Sequence, residues 1–250
     1  MTMTVDKNRF AKAKIVSRSE LKALAGSQDA SRAEFVYRAL LEAIRQGRLR
    51  QGERIREDEV SEWLNVSRTP VREALHRMQT RGLLSLAAGR GMIVSTLSRP
   101  QIIELYAIRE LLEGGAAGLA AQHASAVEID TLWRLTEALE KAGDDYVKGE
   151  RLNRQFHQTI SCASRNRYLM NALDDIGDVL TLLQTGQLPG RCVESLREHT
   201  KIVEAIEQRA PEKADTAARN HVREACQAQL RQWTDDVRGG DRLRAVCSDG

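Results

Sequence analysis

One stretch limits the folds open to this chain more than any other. It is Ser67-Arg68-Thr69-Pro70-Val71-Arg72-Glu73-Ala74-Leu75-His76-Arg77-Met78, and the short segment Glu57 to Leu64 stands just before it. The short segment is amphipathic, with Val60, Trp63 and Leu64 on one face, and Asn65 and Val66 leave room only for a tight connection. In the longer stretch Val71, Leu75 and Met78 recur at helical spacing and form the inward face. Ser67 or Thr69 is the expected cap, and Pro70 falls in the first turn, where its missing N–H costs little. Arg68, Thr69, Arg72, His76 and Arg77 are left toward solvent, and Gly82 stops the helix. Two helices joined this tightly, the second lined with arginines, make a helix-turn-helix. Its second helix is shaped to enter a major groove, where arginine bonds guanine edges or phosphates.

The sequel sharpens this reading. Leu83 to Leu86 and Met92 to Thr96 alternate as two short strands, joined through Ala87-Ala88-Gly89-Arg90-Gly91. That is a hairpin with glycines at its tip and one arginine between them, the wing of a winged helix. The first helix of the unit runs from Ser31 to Gln46, with Phe35, Val36, Leu40, Leu41 and Ile44 inward and Gly47 at its end. Leu49 to Ile55 is an extended link. Over residues 31–97 the wording resembles the GntR family of bacterial transcription regulators. The likeness rests on Val66 to Leu75, then Gly82-Leu83-Leu84, then the Gly-Arg-Gly wing. It implies DNA binding. Arg32 and Arg38 would then meet phosphates and Ser67, Arg68, Thr69, Arg72 and Arg77 would line the groove. Gly89 and Arg90 would bring the wing tip to the minor groove.

Charge divides the chain in the same place. Residues 1–99 carry 19 Lys and Arg against 11 Asp and Glu, whereas residues 100–250 carry 19 against 24. The first part suits a polyanion and the second would be repelled by one. Residues 1–30, with Lys7, Arg9, Lys12, Lys14, Arg18 and Lys22, read as a flexible basic arm. No apolar run is long enough for a membrane span, and the polar, basic start does not read as a secretory signal. Cys162, Cys192, Cys226 and Cys247 are scattered without a Cys-x-x-Cys pair, as expected of reduced thiols in a cytoplasmic protein.

Beyond Ser98-Arg99-Pro100 everything reads helical. The segments are Pro100–His123, Ala126–Ala142, Asp144–Ala163, Arg167–Thr185, Cys192–Arg209 and Pro211–Val237. The fold expected is mainly α: a winged helix-turn-helix over 31–97, an all-α bundle over 98–237 and a frayed tail over 238–250. Gly114, Gly115 and Gly118 inside a helix each cost up to about 1 kcal/mol relative to alanine. Close approach of another helix or subunit would account for them.

Three of the five histidines fall on the apolar faces of this bundle. His157 follows Asn153 by four residues, so both share one helix face, beside Phe156 and Ile160. His199 lies on the stripe Leu196, Val203, Ile206, and His221 on Ala214, Ala217, Ala218, Val222. A single core histidine commonly bonds a carbonyl, but three imidazoles on facing helices are the donors of a Zn²⁺ or Ni²⁺ site. No Asp or Glu clearly joins them. With no Gly-x-Ser-x-Gly, His-Glu-x-x-His, Walker or dinucleotide motif either, an enzyme is not expected.

Residues 100–235 resemble the FCD domain, the effector-binding half of FadR-type GntR regulators. The likeness rests on Tyr106 to Glu113, Asn153-Arg154-Gln155-Phe156-His157, Glu198-His199-x-x-Ile202-x-x-Ala205-Ile206 and His221. In metal-binding members the matching positions are an Asp or Asn and three histidines. The resemblance therefore implies a divalent metal held by Asn153, His157, His199 and His221, with Asn153 standing where Asp is commoner. Arg109 is a candidate for meeting an effector carboxylate bidentately, or else pairs on the surface with Glu113 at i+4. The function implied is a homodimeric transcription regulator, a repressor, on a palindromic operator, controlled by a small organic acid at the metal. The rivals are an architectural DNA binder whose bundle only dimerises and, behind it, a metal-dependent hydrolase with a DNA-binding head.

Overall fold

A computed structural model describes residues 31–89, 91–143, 145–183 and 192–246. The expected basic arm, Arg90 at the wing tip and the loop from Gly186 to Arg191 lie outside the described residues. The chain divides into two compact units, the break falling between Thr96 and Leu97, and Asp178–Gln184 counts with the first.

The first unit is the winged helix. Helix α1 (Arg32–Arg45) opens where the Ser31 hydroxyl accepts the Glu34 N–H, and it buries Val36, Tyr37, Leu40, Leu41 and Ile44. Helix α2 (Glu57–Leu64) ends on Asn65, whose left-handed backbone turns the chain at once into α3 (Arg68–Thr80). The Ser61 hydroxyl donates to the Val66 carbonyl across that turn. Ser67 takes the cap position of α3, yet neither it nor Thr69 caps by side chain as the sequence suggested. The reason is local. A capping oxygen bonds the second or third N–H of the helix, and the third residue here is Pro70, which has none. Pro70, Val71, Ala74, Leu75 and Met78 are buried.

Strands β1 (Leu84–Ala87) and β2 (Gly91–Val94) pair antiparallel, with Leu84 opposite Val94 and Ala87 opposite Gly91. Gly89 and Gly91 at the tip have φ of 69° and 73°, a region open mainly to glycine. The link before α2 lies along the free side of β2: Ile55 N–H donates to Met92 and Val94 N–H to Glu53. Part of this unit comes from far along the chain. Asp178 accepts from the Tyr37 hydroxyl and from Arg81, the Leu182 carbonyl accepts from Gln51, and Leu182 and Leu183 are buried.

The second unit is all helix: α4 (Arg99–His123), α5 (Ala126–Ala142), α6 (Tyr146–Ala163), α7 (Arg167–Leu180), α8 (Cys192–Glu207) and α9 (Pro211–Val246). A 3₁₀ turn, Thr181–Leu183, follows α7, so the regular helix stops before the expected Thr185. Ser125 and Glu128 close a capping box on α5, and Asp145 caps α6 through Lys148 N–H. The core packs Ala117, Ala120, Leu132, Phe156, Ile160, Ile202, Val203, Ile206 and Ala218.

The three glycines of α4 face neighbours. A β-carbon at Gly114 would lie 2.8 Å from Arg219 Cγ, and one at Gly118 would lie 3.3 Å from the Pro211 carbonyl oxygen. Both contacts come from α9, so it is helix approach that calls for glycine. That helix also runs nine residues past Val237, through the segment 238–246 that the sequence reading gave to a frayed tail. Gly239-Gly240 weakens a helix by about 1 kcal/mol per residue without blocking its hydrogen bonds. Among the described residues no helix is long and apolar enough to cross a membrane.

Candidate nucleic-acid face and metal centre

The exposed face of α3 is polar and basic at its start. Ser67, Arg68, Thr69, Arg72 and His76 are all exposed, opposite a buried side that holds the helix in place. Arg72 Nε reaches Glu57 at 2.7 Å, with both side chains largely in solvent. Such an exposed pair contributes about 0–1 kcal/mol and is readily given up to a phosphate or a base. Arg32 is exposed at the start of α1, and Arg38 Nε pairs with Glu34 at 2.7 Å.

Arg77 differs from the sequence expectation of a solvent-facing group. Its guanidinium lies 4.1 Å from the centre of the Tyr37 ring and also pairs with Glu34. Burial raises the Glu34 carboxyl, but bonds from Arg38 and Arg77 outweigh it and hold the group below its usual range. Gly89 lies exposed at the wing tip.

In the helical unit α6, α8 and α9 bring His157, His199 and His221 together, with one ligand atom from each lying within 4.8 Å of the others. Ring centres are 5.3 Å apart for His157 and His199, 5.1 Å for His157 and His221, and 4.6 Å for His199 and His221. His199 and His221 are almost wholly buried, and His199 is seated by stacking on Phe156 at 4.2 Å. Phe156, fully buried, comes from the same helix as His157. Asn153 stands one turn before His157 and is partly buried.

Two carboxylates join this cluster, contrary to the sequence expectation that none does. Glu113 of α4 meets His157 Nδ1 at 2.9 Å, and Glu198 of α8 meets His221 Nδ1 at 2.7 Å. Glu113 also accepts from Arg109 Nε at 2.6 Å. The Arg109–Glu113 pair is therefore a buried one, not the surface pair that i+4 spacing suggested. Burial opposes the Glu113 charge, but Arg109 first and His157 next hold its carboxyl well below the usual range. Burial likewise opposes the Arg109 charge, and Glu113 outweighs it. Glu113 had a legible signal in its spacing from Arg109, and Glu198 in standing beside His199. Neither spacing says which face of a helix is covered.

The residues fit a divalent ion. A carboxylate on Nδ1 places the proton there and leaves the Nε2 electron pair free as a donor. His157 Nε2 is buried with no hydrogen-bond partner among the described residues, a costly arrangement for a group that does nothing. Three neutral imidazoles suit Zn²⁺ or Ni²⁺ better than the harder Mg²⁺ or Ca²⁺.

Comparison with known proteins agrees with this division. Residues 32–94 match the model of the bacterial regulatory proteins of the gntR family, and residues 104–224 match the FCD domain. An uncharacterized HTH-type transcriptional regulator of Bacillus subtilis, YdhC, is 32% identical over 191 residues, covering 74% of this chain and 84% of the relative. A probable D-xylose utilization operon transcriptional repressor of Paenarthrobacter nicotinovorans is 33% identical, covering 72% and 80%. The Glc operon transcriptional activator of Escherichia coli K12 is 28% identical, covering 76% and 85%. Among solved structures, Escherichia coli McbR/YncC superposes with a TM-score of 0.72 at 23% identity, over 81% of this chain and 99% of that one. That likeness bears on the fold alone.

Proposed function

This chain belongs to the GntR family of bacterial regulatory proteins, in the branch that carries an FCD domain, and from that premise we propose a metal-dependent, acid-responsive repressor. It is a DNA-binding transcription regulator. In this reading a homodimer sets two winged heads on the half-sites of a palindromic operator, one helical turn or its multiples apart. Arg68, Thr69 and Arg72 read bases, and Ser67, Arg32 and Arg38 bond phosphates. Gly89 and Arg90 carry the wing tip toward the minor groove. Arg77, committed to Tyr37 and Glu34, steadies α3 from behind and reaches the backbone only at its edge. Ile103, Ile108 and Leu111, exposed on α4, give a second copy an apolar face to cover.

The observation that carries the sensor half is the convergence of three imidazoles, two of them almost wholly buried, within one ion's reach. Asn153, His157, His199 and His221 would hold a Zn²⁺ or Ni²⁺ ion. Such an ion supplies positive charge and open coordination positions to a chelating small organic acid. Arg109 Nε serves Glu113 and its guanidinium also bonds Tyr106, and the donors left over are the candidate partners for the acid's carboxylate. To change operator affinity tenfold, the acid must favour one arrangement of the protein by about 1.4 kcal/mol. The Ser95–Pro100 link is the proposed movable element.

The test selects operator fragments from genomic DNA and measures their binding by fluorescence anisotropy while small carboxylates are titrated. The wild-type protein is expected to change affinity at least about tenfold with one class of acid, a 1.4 kcal/mol effect. His157→Ala/His199→Ala should bind the operator and ignore the acid. A double variant that retains no metal yet responds normally sinks the metal's part in the switch.

A further inference from the structure

The proposed ligand set carries no charge of its own: three neutral imidazoles and the carboxamide of Asn153. A divalent ion placed among them brings two positive charges into a largely buried site, and buried charge without compensation is costly. Compensation is present one layer out. The Glu113 and Glu198 carboxylates touch the Nδ1 atoms of His157 and His221 at 2.9 and 2.7 Å. Each such bond fixes the proton on Nδ1, fixes the rotation of the ring and makes Nε2 the better donor. Glu113 is itself fixed, because its other oxygen accepts Arg109 Nε at 2.6 Å.

We propose that Glu113 and Glu198 are positioning residues of the metal site, with Glu198 supplying negative charge that a ligand set with Asn153 lacks, and Glu113, whose charge Arg109 already offsets, anchored by Arg109 to fix the His157 ring. The inference rests on the metal reading above and assigns a part to residues that reading leaves idle. The arrangement is asymmetric. His157 is tied through Glu113 to α4, whereas His221 is tied through Glu198 to α8, the helix that also carries His199, so one further helix shares in fixing the donors. His199 is placed by Phe156.

The experiment titrates Zn²⁺ and Ni²⁺ into the full-length protein against a competing chromophoric chelator at constant pH. Glu113→Gln and Glu198→Gln keep an acceptor oxygen and lose the charge, Glu198→Ala loses both, and Glu198→Asp keeps the charge. Each Gln variant is expected to bind metal about 10–100-fold more weakly, Glu198→Ala at least as weakly, and Glu198→Asp between Gln and wild type. Circular dichroism and the melting temperature of the metal-free Glu198 variants should match wild type, which separates positioning from folding. Glu113→Gln leaves the buried Arg109 without its counter-charge, so Glu198→Gln is the variant that decides if Glu113→Gln fails to fold. Wild-type metal affinity in a folded Glu198→Gln overturns the inference and leaves the metal reading standing. A wild-type protein that binds neither ion overturns both.

Discussion

Arg72 and Arg77 stand five residues apart on α3 and have opposite surroundings. Arg72 spans an exposed gap to Glu57, an interaction that water screens and that contributes at most about 1 kcal/mol. Arg77 stacks on Tyr37 and pairs with a partly buried Glu34, so its removal strips a cation–π contact and leaves that carboxylate with Arg38 alone. Arg72→Ala is therefore expected to leave the melting temperature near wild type and to weaken operator binding by about 1–3 kcal/mol, with relaxed preference at one base position. Arg77→Ala should lower the melting temperature and affect operator binding less than Arg72→Ala does. Thermal denaturation and anisotropy on the same preparations separate them, and the reverse ranking would show that the wrong arginine has been placed at the bases. Much at this scale was legible beforehand. The exposed residues of α3 follow from helical period, and the three histidines from the apolar stripes around them. Glu113 and Glu198 carried a spacing signal that did not decide their place, because an acidic residue one turn from an arginine, or beside a histidine, looks the same whether solvent or another helix covers it. The Ser67 cap was misjudged for a more tractable reason: Pro70 removes the donor that the cap would have used.

At the scale of elements, the packing of α4 against α9 explains a costly run of glycines. The Gly118 site faces backbone at 3.3 Å, which cannot swing aside, while the Gly115 site meets only a leucine methyl at 3.6 Å. Gly118→Val should destabilise the helical unit by about 1–3 kcal/mol through overpacking. Gly115→Ala should be neutral or stabilising by up to about 1 kcal/mol through helix propensity. Urea unfolding followed by circular dichroism gives both values, and equal destabilisation by the two would contradict the helix approach described. The sequence pointed to some close contact here but could not name the partner, since nothing in a glycine run encodes which helix comes near. The end of α9 shows the converse error. The end rich in Gly, Arg and Asp was read as frayed, but without a proline or a capping motif nothing in the backbone obliges the helix to end before Val246.

At the scale of the molecule, two units with opposite charge balance divide the work: a basic winged helix for a polyanion and an acidic helical bundle around buried imidazoles. The division itself was visible in charge and in the Ser98-Arg99-Pro100 boundary. The membership of Asp178–Gln184 in the winged unit was not, because local periodicity marks a helix without saying what its far end packs on. The central claim is that the bundle holds a divalent ion. Native mass spectrometry of the protein purified without chelator tests it most directly, with His157→Ala/His199→Ala as the comparison. The account predicts a dimer carrying one divalent ion per chain, and no ion in the double variant. A metal-free wild-type dimer that also refuses added Zn²⁺ and Ni²⁺ would contradict it.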